Sequence, residues 1–133
     1  MKLSELPAVG TYYYLCTPYS RYKDGLEAAW QAACLAAAAL VRAKVPFYCP
    51  IAETHPIAVI GDLDPMDHEI WLACDKPKLD AAGGLLVCMM PGWSDSYGIS
   101  VEIEAFQDAG KPIYYLTWPE MEVATDAERD DSG

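Results

Sequence analysis

The chain has 133 residues, 53% of them hydrophobic, and sets 20 acidic side chains against 9 basic ones for a net charge of −11. That length suits one domain with enough interior to fold without metal or disulfide staples, and that charge argues against a nucleic-acid polymer as partner, because a phosphate backbone needs a basic stripe. No basic-then-apolar leader opens the chain, the longest apolar run (Ala32 to Val41) is too short to span a bilayer, and Cys16, Cys34, Cys49, Cys74 and Cys88 form no C-x-x-C pair; the expectation is a soluble cytoplasmic protein with reduced thiols, acting away from membranes.

Thr11 to Cys16 (TYYYLC) is short, β-branched or aromatic, and closed by the turn signal Thr17-Pro18, which predicts a buried strand. The period then changes: Leu26, Trp30, Ala33, Ala37, Leu40 and Val41 recur at helical spacing between Asp24 and Lys44, with Asp24 as the expected N-cap and Arg42 and Lys44 in the last turn. Val45 to Cys49 is a second strand, so strand, long helix and strand make a βαβ unit with parallel strands. Residues 50 to 64 are interrupted by prolines and read as a long loop with room for one helical turn. Asp64-Pro65 pairs an N-cap with Pro at the first helical position and opens a helix through Ile70, Trp71 and Cys74. Pro77 predicts a break near Asp75 and a short second helix ending at Gly83-Gly84. Gly84 to Met90 is a third strand, Tyr97 to Ala109 a helix ending at Gly110, and Pro112 to Thr117 (PIYYLT) a fourth strand.

This alternation predicts a three-layer α/β domain over residues 1–118, built on a mostly parallel sheet of four or five strands. Residues 119–133 read as a solvated acidic tail, with six acids between Glu120 and Asp131 against Arg129. Ligands of such sheets bind beyond the carboxyl ends of the strands, where the loops Thr17 to Lys23, Pro50 to Asp64 and Pro91 to Gly98 compete.

The last of these loops leads to an anomaly. At about 100° per residue, Ile99, Ile103 and Phe106 form one apolar stripe and Glu102 falls inside it, whereas Glu104 points away. A carboxylate turned toward a core costs several kcal/mol unless it is paired, hydrogen-bonded or facing a cavity. The bland account is an ion pair with Arg21 or a Lys; the functional one is chemistry. Asp62, Asp64, Asp67, His68 and Glu69, with His55 nearby, invite a metal reading, but the acids suit helix capping and their spacing matches no metal motif, so no metal is expected. There is no P-loop and no G-x-G-x-x-G, and no cofactor is expected either.

In chain order, Tyr14-Leu15-Cys16-Thr17-Pro18-Tyr19-Ser20-Arg21, then Asp75, then Ser96-x-Gly98-x-x-x-Glu102 form a constellation. It resembles the nucleoside 2-deoxyribosyltransferase superfamily, including its deoxynucleoside 5′-monophosphate N-glycosidase branch and short uncharacterised bacterial and phage relatives, from about Tyr12 to Leu116. The resemblance implies a flavodoxin-like, Rossmann-like fold and a homo-oligomer, dimer, tetramer or larger, with sites near the subunit interface. It makes Glu102 the nucleophile, at the Glu of the pattern G-x-x-x-E-[IL], with Gly110-Lys111-Pro112-Ile113 downstream at the family's G-K-P-[IV]. Asp75, in D-x-x-x-L, becomes the residue that handles the proton of the leaving base, and Tyr14 the first-strand tyrosine that hydrogen-bonds the nucleophile. Ser96 stands where the transferases hold the sugar 5′-hydroxyl with an Asp and where the monophosphate N-glycosidases place a phosphate-contacting Ser. Ser20 and Arg21 resemble the latter's phosphate-binding S-x-R loop, without the glycines that follow it there.

The chemistry agrees with these roles. Breaking an N-glycosidic bond builds positive charge on the sugar, which a carboxylate under the anomeric carbon stabilises or traps, while the departing base takes a proton from an acid on the other side. Gly98 permits close backbone approach at a helix N-terminus that favours an anion, Arg21 and Lys23 add positive charge, and Trp93 with Met89-Met90 is positioned to line a base pocket. Structural accounts stand beside these: Asp75 before Lys76-Pro77 and Ser96 before the Glu102 helix also suit N-caps, and Tyr14 and Trp93 also suit a core. The expectation is an enzyme that cleaves or exchanges the N-glycosidic bond of a nucleoside or its 5′-monophosphate. Its rivals are a nucleotide-binding or sensor module on the same fold and a purely structural oligomer.

Overall fold

The computed structural model describes residues 1–125 and 129. Four strands, β1 (Tyr13–Cys16), β2 (Phe47–Tyr48), β3 (Gly84–Cys88) and β4 (Ile113–Leu116), form one parallel sheet in the order β2-β1-β3-β4. The helices α1 (Leu26–Arg42), α2 (Pro50–Ile60), α3 (His68–Ala81) and α4 (Tyr97–Asp108) complete a three-layer, Rossmann-like α/β domain. Side chains alternate across a strand, so Tyr13 and Leu15 enter one apolar cluster with Ala33, Ala36 and Leu40 of α1, while Tyr14 and Cys16 enter a second with Ala82, Ile99 and Phe106. Leu85 to Cys88 are fully buried, as befits a central strand covered on both faces. The chain runs from β1 out to β2 and returns to β3 on the other side of β1, so the strand order reverses between β1 and β3 and a crevice opens at their carboxyl ends.

Several expected boundaries are corrected. Helix α1 is capped by Gly25 at φ 96° and not by the Asp24 side chain, because the backbone arrives in a conformation that glycine alone adopts freely. Residues 50–60, expected as loop, are the helix α2, with Pro50 at its start and Pro56 inside it. Pro56 has no N–H to give the Ala52 carbonyl, and the Trp30 indole Nε1 donates to that oxygen instead, at 3.2 Å. Trp30→Phe should therefore destabilise the domain by about 1–3 kcal/mol through the orphaned carbonyl, read from the midpoint of urea unfolding at unchanged slope.

The next helix begins at His68 and not at Pro65, because Asp64 is used in a turn: its Oδ1 accepts from the Met66 N–H at 2.9 Å, and its carbonyl from the Trp71 indole at 2.8 Å. Pro77 does not break α3, which runs unbroken to Ala81. The Ala73 carbonyl that Pro77 leaves free belongs to an exposed residue of a helix with no fully buried side chain, where water can serve it. Gly83 and Gly84 do not cap a helix but bring chain segments together: a Cβ on Gly83 would collide with the Val9 carbonyl. Helix α4 is as expected, capped by the Ser96 hydroxyl, which accepts from the Ile99 N–H at 3.3 Å, and followed by Gly110 at φ 68°.

Beyond β4 the chain folds back. Met121 is buried, Val123 pairs antiparallel with Leu116, and the Val123 N–H donates to the Met1 carbonyl at 3.0 Å. Residues 126–128 and 130–133 of the expected acidic tail lie outside the described residues. Among the described residues, no helix is long and apolar enough to cross a membrane.

Candidate active site

The amphipathic stripe of α4 presses Ile99 and Phe106 against the sheet and carries Glu102, partly buried, toward Tyr14 of β1. Burial pushes the Glu102 carboxyl up to about 8; the nearby Tyr14 hydroxyl holds it down in part, and the negative charge of Asp75 adds to the rise. Tyr14 is itself raised well above the ordinary tyrosine range by burial and then by Glu102 and Asp75, so it stays a neutral donor. Among the described residues neither Arg21 nor a Lys forms an ion pair with Glu102. Glu104 is exposed.

Asp75 lies within α3, not at its start, so it is not an N-cap. Burial raises its carboxyl, while the Tyr48 hydroxyl and Lys78 act to lower it and Glu53 adds to the rise. Tyr48, at the end of β2, donates to Asp75 Oδ1 at 2.8 Å and accepts from Lys78 Nζ at 3.5 Å, and the same ammonium sits 4.6 Å from the Tyr48 ring centre. The Tyr14 and Tyr48 rings pack at 5.6 Å, so the two tyrosines form a continuous wall between the carboxylates.

Because α3 buries no side chain completely, polar ties locate Asp75. The Tyr12 hydroxyl donates to the Lys78 carbonyl at 2.5 Å, and Thr11 Oγ1 to the Ala81 carbonyl at 2.9 Å. Lys111 Nζ donates to the Asp80 and Ala82 carbonyls at 2.8 and 2.7 Å, a cation at the helix C-terminus. The lysine of the Gly110-Lys111-Pro112 motif thus anchors the helix that carries Asp75.

At the crevice between β1 and β3 a cleft of about 210 Å³ is walled by Pro18, Tyr19, Ser20 and Arg21 on one side and by Gly92, Asp95, Ser96 and Tyr97 on the other. Ser20, Arg21 and Ser96 therefore meet across one opening at the N-terminus of α4. Glu102 follows Ser96 by six residues, about 9 Å along the helix axis, and helical side chains lean toward the N-terminus and hence toward the cleft. Thr17, next to this wall and 6% exposed, has the one buried side-chain oxygen or nitrogen without a hydrogen-bond partner among the described residues. Gly98 and Trp93 do not line the cleft: Gly98 is exposed, and a Cβ there would meet only the Ser96 hydroxyl, at 4.0 Å, while Trp93 packs on Tyr115 at 5.6 Å between ring centres. Met90 is core. Among the described residues no group of three or more His, Cys, Asp or Glu is arranged to hold a metal ion.

Tyr48 and Lys78 escaped the sequence reading. The signals were an aromatic at a strand's carboxyl end and a lysine three residues beyond Asp75 on the same helix face. Tyr48→Phe removes a donor that favours ionised Asp75, so the range in which Asp75 is protonated should extend to higher pH. If Asp75 supplies the proton, the limb of the pH–rate profile that follows Asp75 moves upward in this variant while the maximal rate falls by less than about tenfold, measured as base release across pH 4 to 10.

The chain belongs to the family described as a domain of unknown function, DUF1937, whose model matches residues 11–118. No curated protein matches it.

Proposed function

We propose that this domain breaks the N-glycosidic bond of a deoxynucleoside or deoxynucleoside 5′-monophosphate, with Glu102 as nucleophile, Asp75 as proton donor to the leaving base and Tyr14 as the hydrogen-bond donor that holds Glu102. One observation carries the reading: two carboxyl groups on separate helices, both raised by burial and close enough for the charge of Asp75 to act on Glu102, share a tyrosine wall; neither carboxylate nor either tyrosine lines the cleft itself, which lies at the N-terminus of the helix that carries Glu102. A glycosidase divides such work between one group that meets the developing charge on the sugar and another that protonates the departing base; in the free protein Glu102 holds the proton and Asp75 is charged, so the reading requires the proton to pass to Asp75 when substrate binds. The likeness of these positions to the nucleoside 2-deoxyribosyltransferase superfamily supports the same roles. Ser96 with Ser20 and Arg21 around the α4 N-terminus favours a 5′-phosphate at the far end of the substrate, and hydrolysis is preferred over transfer to a second base.

Five free thiols among the described residues suit a reducing cytoplasm. The exposed apolar side chains Ile57, Val59 and Ile60 of α2 and Ile70 and Leu72 of α3 support a homo-oligomer. The test is incubation with a panel of deoxynucleosides and their monophosphates followed by chromatography for free base. Release of base from at least one of them is expected; tight binding with no release from any overturns the enzyme reading. That outcome would favour a nucleotide sensor, a second reading drawn from Glu102 itself, since a carboxyl group pushed to about 8 is mostly protonated, and so a poor nucleophile, at neutral pH.

A further inference from the structure

A second polar cluster lies behind the cleft wall. The Tyr19 hydroxyl is 2.7 Å from His55 Nδ1, and His55 Nε2 is 3.0 Å from Glu27 Oε2. Trp30 stacks on the imidazole with ring centres 5.3 Å apart, and Tyr19 meets it edge-on at 5.8 Å. His55 is only 5% exposed, so protein atoms rather than water satisfy both ring nitrogens. A Glu27 carboxylate can only accept, so Nε2 carries a proton; Nδ1 accepts from the Tyr19 hydroxyl in the neutral ring and donates to its oxygen in the imidazolium, so the contact is kept in both states. Residues of α1, α2 and the loop after β1 are thereby joined in one line.

Ser20 and Arg21 are exposed, and among the described residues neither side chain makes a hydrogen bond or ion pair of its own. Tyr19, immediately before them, is fastened to the body of the domain through its hydroxyl, and beyond them Tyr22 packs against the core and donates its N–H to the Tyr19 carbonyl at 3.1 Å. We infer that His55 is a positioning residue for the cleft: through the Tyr19 hydroxyl it fixes the Pro18–Arg21 wall, and so holds Ser20 and Arg21 facing Ser96 and the α4 N-terminus, ready for an anionic phosphate. The inference rests on the reading of this cleft as the subsite for a substrate 5′-phosphate. A wall ordered before binding loses less freedom when the anion arrives, so the contact contributes to affinity for phosphate-bearing ligands and not to affinity for the nucleoside part.

The experiment is titration calorimetry of a 2′-deoxynucleoside 5′-monophosphate and of the matching 2′-deoxynucleoside, with wild type, Tyr19→Phe, His55→Ala and His55→Asn, the last of which restores an acceptor near the Nδ1 position. Wild type should prefer the monophosphate. Tyr19→Phe and His55→Ala should weaken monophosphate binding about tenfold and leave the nucleoside within about twofold, and His55→Asn should recover most of the loss. Tyr19→Phe deletes a single oxygen and keeps the ring, so it carries the test if His55→Ala does not fold. Equal weakening of both ligands, or undiminished phosphate preference in a folded Tyr19→Phe, overturns the role of His55 while the cleft reading stands. A wild type that does not prefer the monophosphate overturns both.

Discussion

Glu102→Gln should abolish base release, by at least about a thousandfold, and yet leave the domain no less stable at neutral pH. The two halves of this result come from one fact, that folding moves the Glu102 carboxyl from its ordinary 4.5 up to about 8. Between those values the folded protein holds a proton that the unfolded chain releases, so stability falls as pH rises, with a slope of up to about 1.4 kcal/mol per pH unit from this group. The contribution is fully present below 4.5 and is lost as pH climbs through 8. Gln resembles the protonated acid in shape and hydrogen bonding and does not titrate, so melting curves of the variant and wild type should diverge from pH 5 to pH 8 in favour of the variant. A purely structural carboxylate would show the stability difference with base release intact, and that outcome ends the assignment of Glu102. For wild type, kcat/KM should be highest where the coupled Glu102–Asp75 pair holds a single proton and should fall as pH climbs through 8, where that proton is lost. Tyr14→Phe removes the hydroxyl that holds the carboxyl down and should displace that limb upward.

Asp75→Asn should reduce base release by about 10²- to 10⁴-fold, the usual worth of a positioned general acid. Asn keeps the size of the side chain and an oxygen to accept from Tyr48, so the wall of Tyr14 and Tyr48 has no reason to rearrange. The loss should depend on the leaving group. With a natural base, which departs only when protonated, the full deficit is expected; with a deoxyriboside of a nitrophenol, which leaves without a proton, most of the rate should return. A deficit of the same size for both leaving groups would show that Asp75 does not supply the proton. The two variants also separate the competing functions, because in a nucleotide sensor both would change affinity without there being any turnover to lose.

Part of this site was legible in the chain. Helical period alone puts Glu102 on the side of Ile99 and Phe106, and strand alternation alone puts Tyr14 on the face opposite Tyr13; both follow from local geometry that no later packing can reverse. The cap at Ser96 and the stop at Gly110 are local as well. The prolines misled because their cost depends on what becomes of the carbonyl each one leaves free. Pro56 looks like a breaker until Trp30, 22 residues before Ala52, is seen to serve that carbonyl, and Pro77 looks like one until α3 proves solvent-accessible on its flank.

The sequence by itself therefore determined the three-layer alternation, the faces of the strands and of α4, and the presence of a carboxylate that no surface helix requires. Only the tertiary structure decided the partners. Tyr48 meets Asp75 across 27 residues, and His55 reaches Tyr19 and Glu27 across 36 and 28. Periodicity records which way a side chain points within its own element, and it holds no information about which element lies opposite. That comes from the strand order β2-β1-β3-β4, which sets the end of β2 beside β1 and within reach of α3, and opens the cleft where the order reverses.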